Sequence, residues 1–512
     1  MKGPAASEHF LRYALCDPIS KGGYTMKGFT GKRVGTSFPI TDEECKQIHE
    51  AVVRVLEKGG MRCDDPRASK LFEKVGCKLE NDGKLVKIPE KVIQAALKTC
   101  PGQFTIYGRS PKDDYDVVIG NGEVHFASVT GRYLRDIRTG ERRKATRQDA
   151  IDGARMADAL ENVHGLYKSV MWLYDEPPII NSQILVGEML KNSEKGMTWV
   201  YNTGAEHEVP DLIRLWEIAA GGKEALKKKP HVLGHVIINP PRVVDVHYTD
   251  WMMGFIDAGI PITVYSATIS GATGPATLAG MMVQVIAETL ALVVLAQAYK
   301  PGHPLCFCSF NTSMDMRTGL WSFGNPEYAT IGAGIAKMAN YYGVPTVAFG
   351  ICDSCDTDQQ TGYEKAFTLM TYALAGISLT WTLGGMAGFN FVTWDQMVLD
   401  NEVATYIGHY LKGIRVDAER LSEDVIMKVG PLPGSYMKEA HTRKWYREEF
   451  LIPELSSRDF FETWERSHKD LLEKAREKAL KILDTYESKV PKEVQKEIDD
   501  YLDHVRKRGD VK

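Results

Sequence analysis

The chain has 512 residues, 44% of them hydrophobic and 25% charged, with a formal net charge of -4. That profile is globular, and the length suits one large barrel with additions or two to four domains. The near-neutral balance gives no electrostatic reason to expect nucleic acid or an anionic membrane as partner, and nine cysteines, an odd number, make no disulfide framework.

No apolar secretory signal opens the chain, so a reducing cytoplasm is expected. Residues 1 to about 40 show little periodicity and predict an irregular arm. "TDEECKQIHEAVVRVLEKGG" then predicts a helix, with Thr41 and Glu44 as a capping box and Gly59-Gly60 as the stop. Two further helices are expected near 66–76 and 89–99, with "CKLENDGKLVKIP" as a hairpin between them. The sum is a small helical N-terminal domain. "QFTIYG", "DVVIGNGEVHFAS" and "RYLRDIRTGERRKA" predict short strands, with hairpin turns at Asn121-Gly122 and Thr139-Gly140.

From about 120 to 400, short apolar β-branched runs alternate with helical stretches. Eight runs qualify as strands: "EVHFAS", "SVMWLY", "TWVYNTG", "HVLGHVIINP", "ITVYSAT", "PLCFCSFN", "TVAFGICD" and "ISLTWTLGG". Each is apolar on both faces, as a buried parallel strand must be. Eight such units predict an α/β fold of the TIM (β/α)8 type. A doubly wound sheet is the alternative, but no dinucleotide fingerprint follows the first strand. Gln284, Glu288 and Gln297 interrupt the longest apolar run, Ala276 to Tyr299, which favours a buried helix over a membrane span. After about 456 the chain is charged and helical, with Leu471, Leu472, Ala475, Leu480 and Ile482 as an apolar side for the barrel or a second subunit. The expected division is 1–120 (arm, helices and hairpins), 121–455 (barrel) and 456–512 (C-terminal helices).

A TIM barrel carries its site at the C-terminal ends of its strands. "FGICDSCDTDQQTGYEK" falls there, after the seventh strand, and brings Ile351, Cys352 and Asp353 to the rim. Cys306, Cys308, Cys352 and Cys355 raise the possibility of zinc, against which stands the plainer reading of two buried thiols and two loop thiols. A redox role for Cys352 and Cys355 is disfavoured by Asp356 and Asp358, whose charges would raise the thiol pKa. Trp172, Tyr174, Trp199, Tyr201, Tyr265, Phe310 and Trp381 cluster near strand ends. An aromatic mouth with few Lys or Arg suits a cation such as a quaternary ammonium, although each ring alone reads equally as core. Glu327 lies in the first turn of a helix capped by Asn325 and started by Pro326, so it either complements the helix dipole or joins Asp315 and Arg317 on the rim.

"SGATGPATLAG", "SFGNPEYATIGAGIAKMANYYGVP" and "DTDQQTGYEKAFTLMTYALAGIS" together resemble the MttB superfamily of trimethylamine:corrinoid methyltransferases and their relatives without pyrrolysine. "IHEAVVRVLEKGGMRCDDPRASKLFEKVGCKLENDGKLVKIPEKVIQAAL" and "VLDNEVATYIGHYLKGI" extend the likeness over about residues 40 to 450. The resemblance implies a TIM barrel that passes a methyl group from an amine to Co(I) of a cognate corrinoid protein. The cobalamin is then carried by that partner, and no tightly bound cofactor of the chain's own is expected. In trimethylamine-specific members pyrrolysine precedes the segment matching "DQQTGYEK". The match falls at Ile351 or Cys352, and no lysine stands at either position.

A quaternary amine of the glycine betaine kind is therefore the expected donor. Trp172, Tyr174, Tyr201, Tyr265 and Phe310 are candidates for its cage, and His235, Asn311 and Arg317 for its carboxylate. Gly271, Ala272 and Gly274 are candidates for close approach of the corrinoid ring, with Ile351, Cys352, Asp353 and Glu327 as the catalytic rim. A homo-oligomer is expected. The alternatives are a zinc-dependent methyltransferase and a non-catalytic betaine-binding protein.

Overall fold

In the computed structural model, which describes residues 28–30, 35–112, 114–199 and 207–508, the N-terminal segment folds much as its local signals require. Helix α1 (Asp42–Arg54) starts at Thr41, whose side chain and that of Glu44 cap each other reciprocally. Helices α2 (Pro66–Lys74) and α3 (Glu90–Thr99) follow, and strands Lys78–Glu80 and Leu85–Lys87 pair as the expected hairpin. Met61, Phe72 and Ile93 belong to the same continuous buried cluster as Val285 and Leu292 of the long helix 278–299, so these helices have no separate core of the kind a small independent domain would need.

Seven parallel strands carry the centre. They are β1 (Glu123–Ser128), β2 (Met197–Trp199), β3 (Val232–Ile238), β4 (Ile262–Ser266), β5 (Leu305–Ser309), β6 (Thr346–Phe349) and β7 (Leu379–Leu383). Hydrogen bonding runs β1-β7-β6-β5-β4-β3-β2. Isolated parallel bridges from Ala127 to Gly165 and from Leu166 to Met197 join the two outer strands through a two-residue segment.

That segment is not the expected second strand. "SVMWLY", 169–174, forms no strand. Its backbone is satisfied elsewhere: Met171 N donates to Gly131 O, and the Asn181 amide both accepts from Leu173 N (3.0 Å) and donates to Leu173 O (2.7 Å). An apolar run signals burial, and here a side-chain amide replaces the neighbouring strand. A second correction concerns Asn121-Gly122. Val117–Ile119 pairs with Phe104–Ile106, not with β1, so the turn joins two sheets. The Thr139-Gly140 hairpin forms as expected between Tyr133–Arg135 and Arg142–Lys144.

Helix α4 (Leu278–Tyr299) is long and apolar enough to cross a membrane, but most of it is buried under α1, α2 and α3, as the interrupting polar residues predicted. Helix α5 (Trp394–Leu411) packs along β7. Helix α6 (Leu471–Thr485) packs against α5, and α7 (Lys492–Arg506) lies on helices 181–192 and 208–220, so the C-terminal helices cover the chain's own helical layer around the central sheet.

Candidate active site

Alternate residues of a strand share a face, and the inward residues here are mostly aromatic. His235 (β3), Tyr265 (β4), Phe349 (β6) and Trp381 (β7) meet with Tyr167, which follows the bridge segment. The ring of His235 lies 4.9 Å from Trp381 and 5.4 Å from Tyr265, and Phe349 lies 4.8 Å from Trp381. Above this layer stands a second one. The Phe310 ring centroid is 5.1 Å from Phe349, 5.4 Å from Phe389, 5.8 Å from Phe323 and 6.2 Å from Tyr265. Phe310 and Phe389 are only half-buried, and Trp321, 6.1 Å from Phe310, is exposed. The upper layer is thus an aromatic box that keeps ring surface open at the C-terminal ends of the strands.

Loops after β5, β6 and β7 hold the box in shape. Asp353, just past β6, accepts from Phe323 N (2.7 Å), Gly324 N (2.9 Å) and Ser322 Oγ (2.7 Å). Glu364 accepts from Asp353 N (2.8 Å) and sits so close to Gly324 that a Cβ there would fall 2.2 Å from its carboxyl carbon. A side chain at 324 would have to displace that carboxylate from Asp353 N. After β7, Ala387, Gly388 and Phe389 all have positive φ (50°, 57° and 69°). For a bulky residue such as Phe389 that conformation is costly. It is held by Ala387 N donating to Ser354 O and Gly388 N donating to Cys352 O. The strain directs the Phe389 ring into the box.

Below that loop, Lys365 Nζ donates to Asp400 Oδ2 (2.5 Å) and Thr382 O (2.8 Å), and Gly384 N donates to the same carboxylate oxygen (2.8 Å). Both charged side chains are fully buried. This pair fixes the end of β7, from which the Phe389 loop departs.

The structure sorts the expected site residues. Tyr265 and Phe310 enter the box, with Asp353 one bond behind it. His235 is buried in the layer beneath. Burial, with Lys168 nearby, pushes its pKa down to about 3, so the ring is neutral. Its Nδ1 faces Thr263 Oγ1 (3.0 Å) and Tyr265 OH (3.2 Å), while Nε2 has no partner among the described residues. Asn311 Nδ2 donates to Ser266 O, and its Oδ1 is likewise unpartnered among the described residues.

Others lie elsewhere. Tyr174 stacks on Tyr133 at the periphery with Lys144 over its ring, and Trp172 is half-buried outside the box. Trp199 carries Lys168 over its ring, while its neighbour Thr198 reaches Trp381; alternation therefore turns Trp199 away from the interior. Tyr201 lies outside the described residues. Arg317 projects into solvent and pairs with Asp315, so it reaches no site. Glu327 is exposed in the first turn of helix 326–342, where Asn325 caps and the dipole reading suffices. Ile351 is buried against the interior aromatics. Cys352 packs on Met386 and Phe391, and burial pushes its thiol up to about 12. Gly271, at φ 84°, and Ala272 are exposed on the rim beside Met316, whereas at Gly274 a Cβ would meet Thr268 Cγ2 at 2.4 Å, so that glycine serves the loop's own packing.

The four cysteines do not converge. Cys306 and Cys308 are buried in the cluster with Tyr265, Phe349 and Trp381, Cys352 lies under the Phe389 loop, and Cys355 is exposed. Among the described residues no group of three or more His, Cys, Asp or Glu side chains could hold a metal. Sequence reading missed Tyr167, Phe323, Phe349 and Phe389 as box or floor residues. Phe349 ends a strand and could have been flagged by that position. Phe323 and Phe389 sit in loops whose direction is set by bonds to other loops.

The family model described as "Trimethylamine methyltransferase (MTTB)" matches residues 25–510. The chain belongs to this family. It is 32% identical over 462 residues to the glycine betaine methyltransferase of Desulfitobacterium hafniense strain Y51, covering 90% of this chain and 94% of that protein. It is also 32% identical to the trimethylamine methyltransferase MttB of D. hafniense DSM 10664 / DCB-2, covering 87% and 89%, and 30% identical to that of Methanosarcina thermophila, covering 88% and 93%. Among solved structures, the monomethylamine methyltransferase MtmB of Methanosarcina barkeri superposes with a TM-score of 0.45 at 11% identity, covering 90% and 98%. The protein is a methyltransferase of this family.

Proposed function

We propose that the protein transfers a methyl group from a quaternary amine of the glycine betaine kind to Co(I) of a cognate corrinoid protein, in the cytoplasm, with the parallel strands and the bridge segment acting as a (β/α)8 barrel. The observation that carries this reading is the aromatic box open at the strand ends, with Ile351 and a protonated Cys352 behind it where trimethylamine-specific relatives place pyrrolysine.

A tertiary amine is a poor methyl donor because its leaving group, unprotonated, is an amide anion. A quaternary ammonium leaves as a neutral tertiary amine and needs no electrophile at 351 or 352. Co(I), supplied by the partner, is the nucleophile. The chain's own task is to hold the cation in line, with one methyl facing the mouth. Ring faces do this at about 0.5–2 kcal/mol each. Asp353, whose carboxylate anchors the loop that carries Phe323, is committed to three donors of residues 322–324, which moderates the attraction. Moderation is useful, since the positive charge leaves nitrogen in the transition state and tight binding of the cation would raise the barrier. The donor assigned to a betaine carboxylate is His235, in the layer beneath the box: with two hydroxyls against Nδ1, the tautomer protonated on Nε2 leaves an N–H without a partner among the described residues.

The corrinoid partner docks over a rim where Gly271 and Ala272 lie exposed beside Met316 and Trp321. Methyl transfer to free Co(I) cobalamin, followed by visible spectroscopy with a panel of quaternary amines and trimethylamine, tests the reading. Transfer from one quaternary amine and not from trimethylamine supports it. Activity on trimethylamine defeats the argument from 351 and 352, and binding of a betaine without transfer to any corrinoid acceptor points to a sensor.

A further inference from the structure

Between α5 and α6 the chain makes a long excursion, residues 412–470, that is built inside out. Among its described side chains only Trp445 and Leu455 are buried. Its charges pair with one another: Arg420 binds Asp417, Glu448 and Glu449 and covers the Trp445 ring at 4.1 Å, and Lys428 binds Glu439. The large apolar side chains face water instead. Ile414 is 86% exposed, Leu432 92%, Phe460 73%, Phe461 65%, Phe450 61% and Tyr446 48%.

The four aromatic residues alone expose on the order of 500 Å² of ring, at roughly 150–250 Å² for each when fully buried. With Ile414 and Leu432 the excursion approaches the roughly 800 Å² that each partner contributes to a standard interface. A monomer rarely leaves so much apolar surface in water.

Two observations choose the occupant. First, the excursion leaves the body at the end away from the site and is tied back to it by Arg458 on Tyr406, in the second half of α5. Helix α5 starts at the mouth, where Thr393 N donates to Gly384 O, and ends near Gly408, which contacts Phe29. Phe29 pairs with Val124 at the N-terminal end of β1. A corrinoid protein seated over the mouth cannot cover the opposite end. Second, the excursion carries eleven Lys and Arg against twelve Asp and Glu, a net of -1. That balance offers no field for nucleic acid or an anionic membrane, and it suits contact with a like surface, as a two-fold symmetric interface demands.

We propose that residues 412–470 are an assembly arm that docks on a second copy of this chain at the end of the barrel opposite the mouth. Such assembly leaves both mouths open to their acceptor protein.

Light scattering of the full chain is expected to give twice the chain mass or a higher even multiple. The triple variant F450E/F460E/F461E is expected to fall to half that mass while keeping methyl transfer to free cobalamin and the parent's circular dichroism. Because that variant could also misfold, a photo-crosslinking amino acid is placed at 460 in the otherwise native chain. A covalent dimer supports the arm, and the same probe at exposed Tyr363, on the mouth side, should give none. A native chain of single mass, a folded triple variant of undiminished mass, or cross-linking from 460 to the corrinoid protein would overturn the proposal.

Discussion

Replacing Phe310 by Leu removes one ring from the box and keeps most of the volume. Phe310 is the hub of the upper layer, with four phenylalanine or tyrosine rings between 5.1 and 6.2 Å, and it is itself half-buried. If the box attracts the cation through ring faces, the loss is one cation–π contact, about 0.5–2 kcal/mol. At about 1.4 kcal/mol per tenfold, affinity for the quaternary amine should weaken roughly 2- to 30-fold. The comparison ligand is the carboxylate in which carbon replaces the quaternary nitrogen, the tert-butyl analogue of glycine betaine, whose head group is uncharged. It has the same shape and no cationic charge, so F310L should change its binding far less. Calorimetric titration of both ligands against both proteins gives the four affinities needed. In turnover, KM should rise while kcat holds or increases, because the contact weakens as charge leaves nitrogen. Equal weakening for the cationic and the uncharged head group would refute the reasoning and make the box a matter of shape.

Lys365→Met should destabilise strongly, by about 3–5 kcal/mol, because it strands the Asp400 carboxylate in the core; thermal unfolding by differential scanning calorimetry reads it, and a shift within error would mean water or a proton compensates. Burial lowers the pKa of His303 to about 4, below the roughly 6.5 of an unfolded histidine. Its contribution to stability is therefore complete above about pH 6.5 and is lost as pH falls towards 4, up to about 3 kcal/mol. The melting temperature of His303→Gln should accordingly fall less between pH 7 and 4 than that of the parent. Cys355 is the exposed thiol among the described cysteines, so a native thiol titration should label it before the other described cysteines and lose that phase in Cys355→Ser. Cys352→Ala should keep methyl transfer, since a thiol pushed up to about 12 is no nucleophile at neutral pH; abolition of transfer in a folded Cys352→Ala protein would restore that sulfur to the mechanism.

Local physics fixed much of this protein in advance. A buried parallel strand must be apolar on both faces, and seven of the eight runs chosen on that ground became strands. Thr41 with Glu44, and Asn325 with Pro326, start their helices through groups within four residues of each other. The polar interruptions of Leu278–Tyr299 marked a core helix because unpaired glutamate does not face lipid.

What the sequence did not determine depends on partners far along the chain. The run 169–174 is apolar enough for a strand, but Asn181 and the 131–145 hairpin take its hydrogen bonds. Asp353 reads as a rim acid, and only the fold commits its oxygens to residues 322–324. Phe389 reads as an ordinary loop residue, and only bonds between the β6 and β7 loops hold it at positive φ and turn it into the box. Residue type and period are written locally. The direction in which a loop side chain points is a balance of contacts between segments, and that balance exists only once the parallel sheet has brought them together.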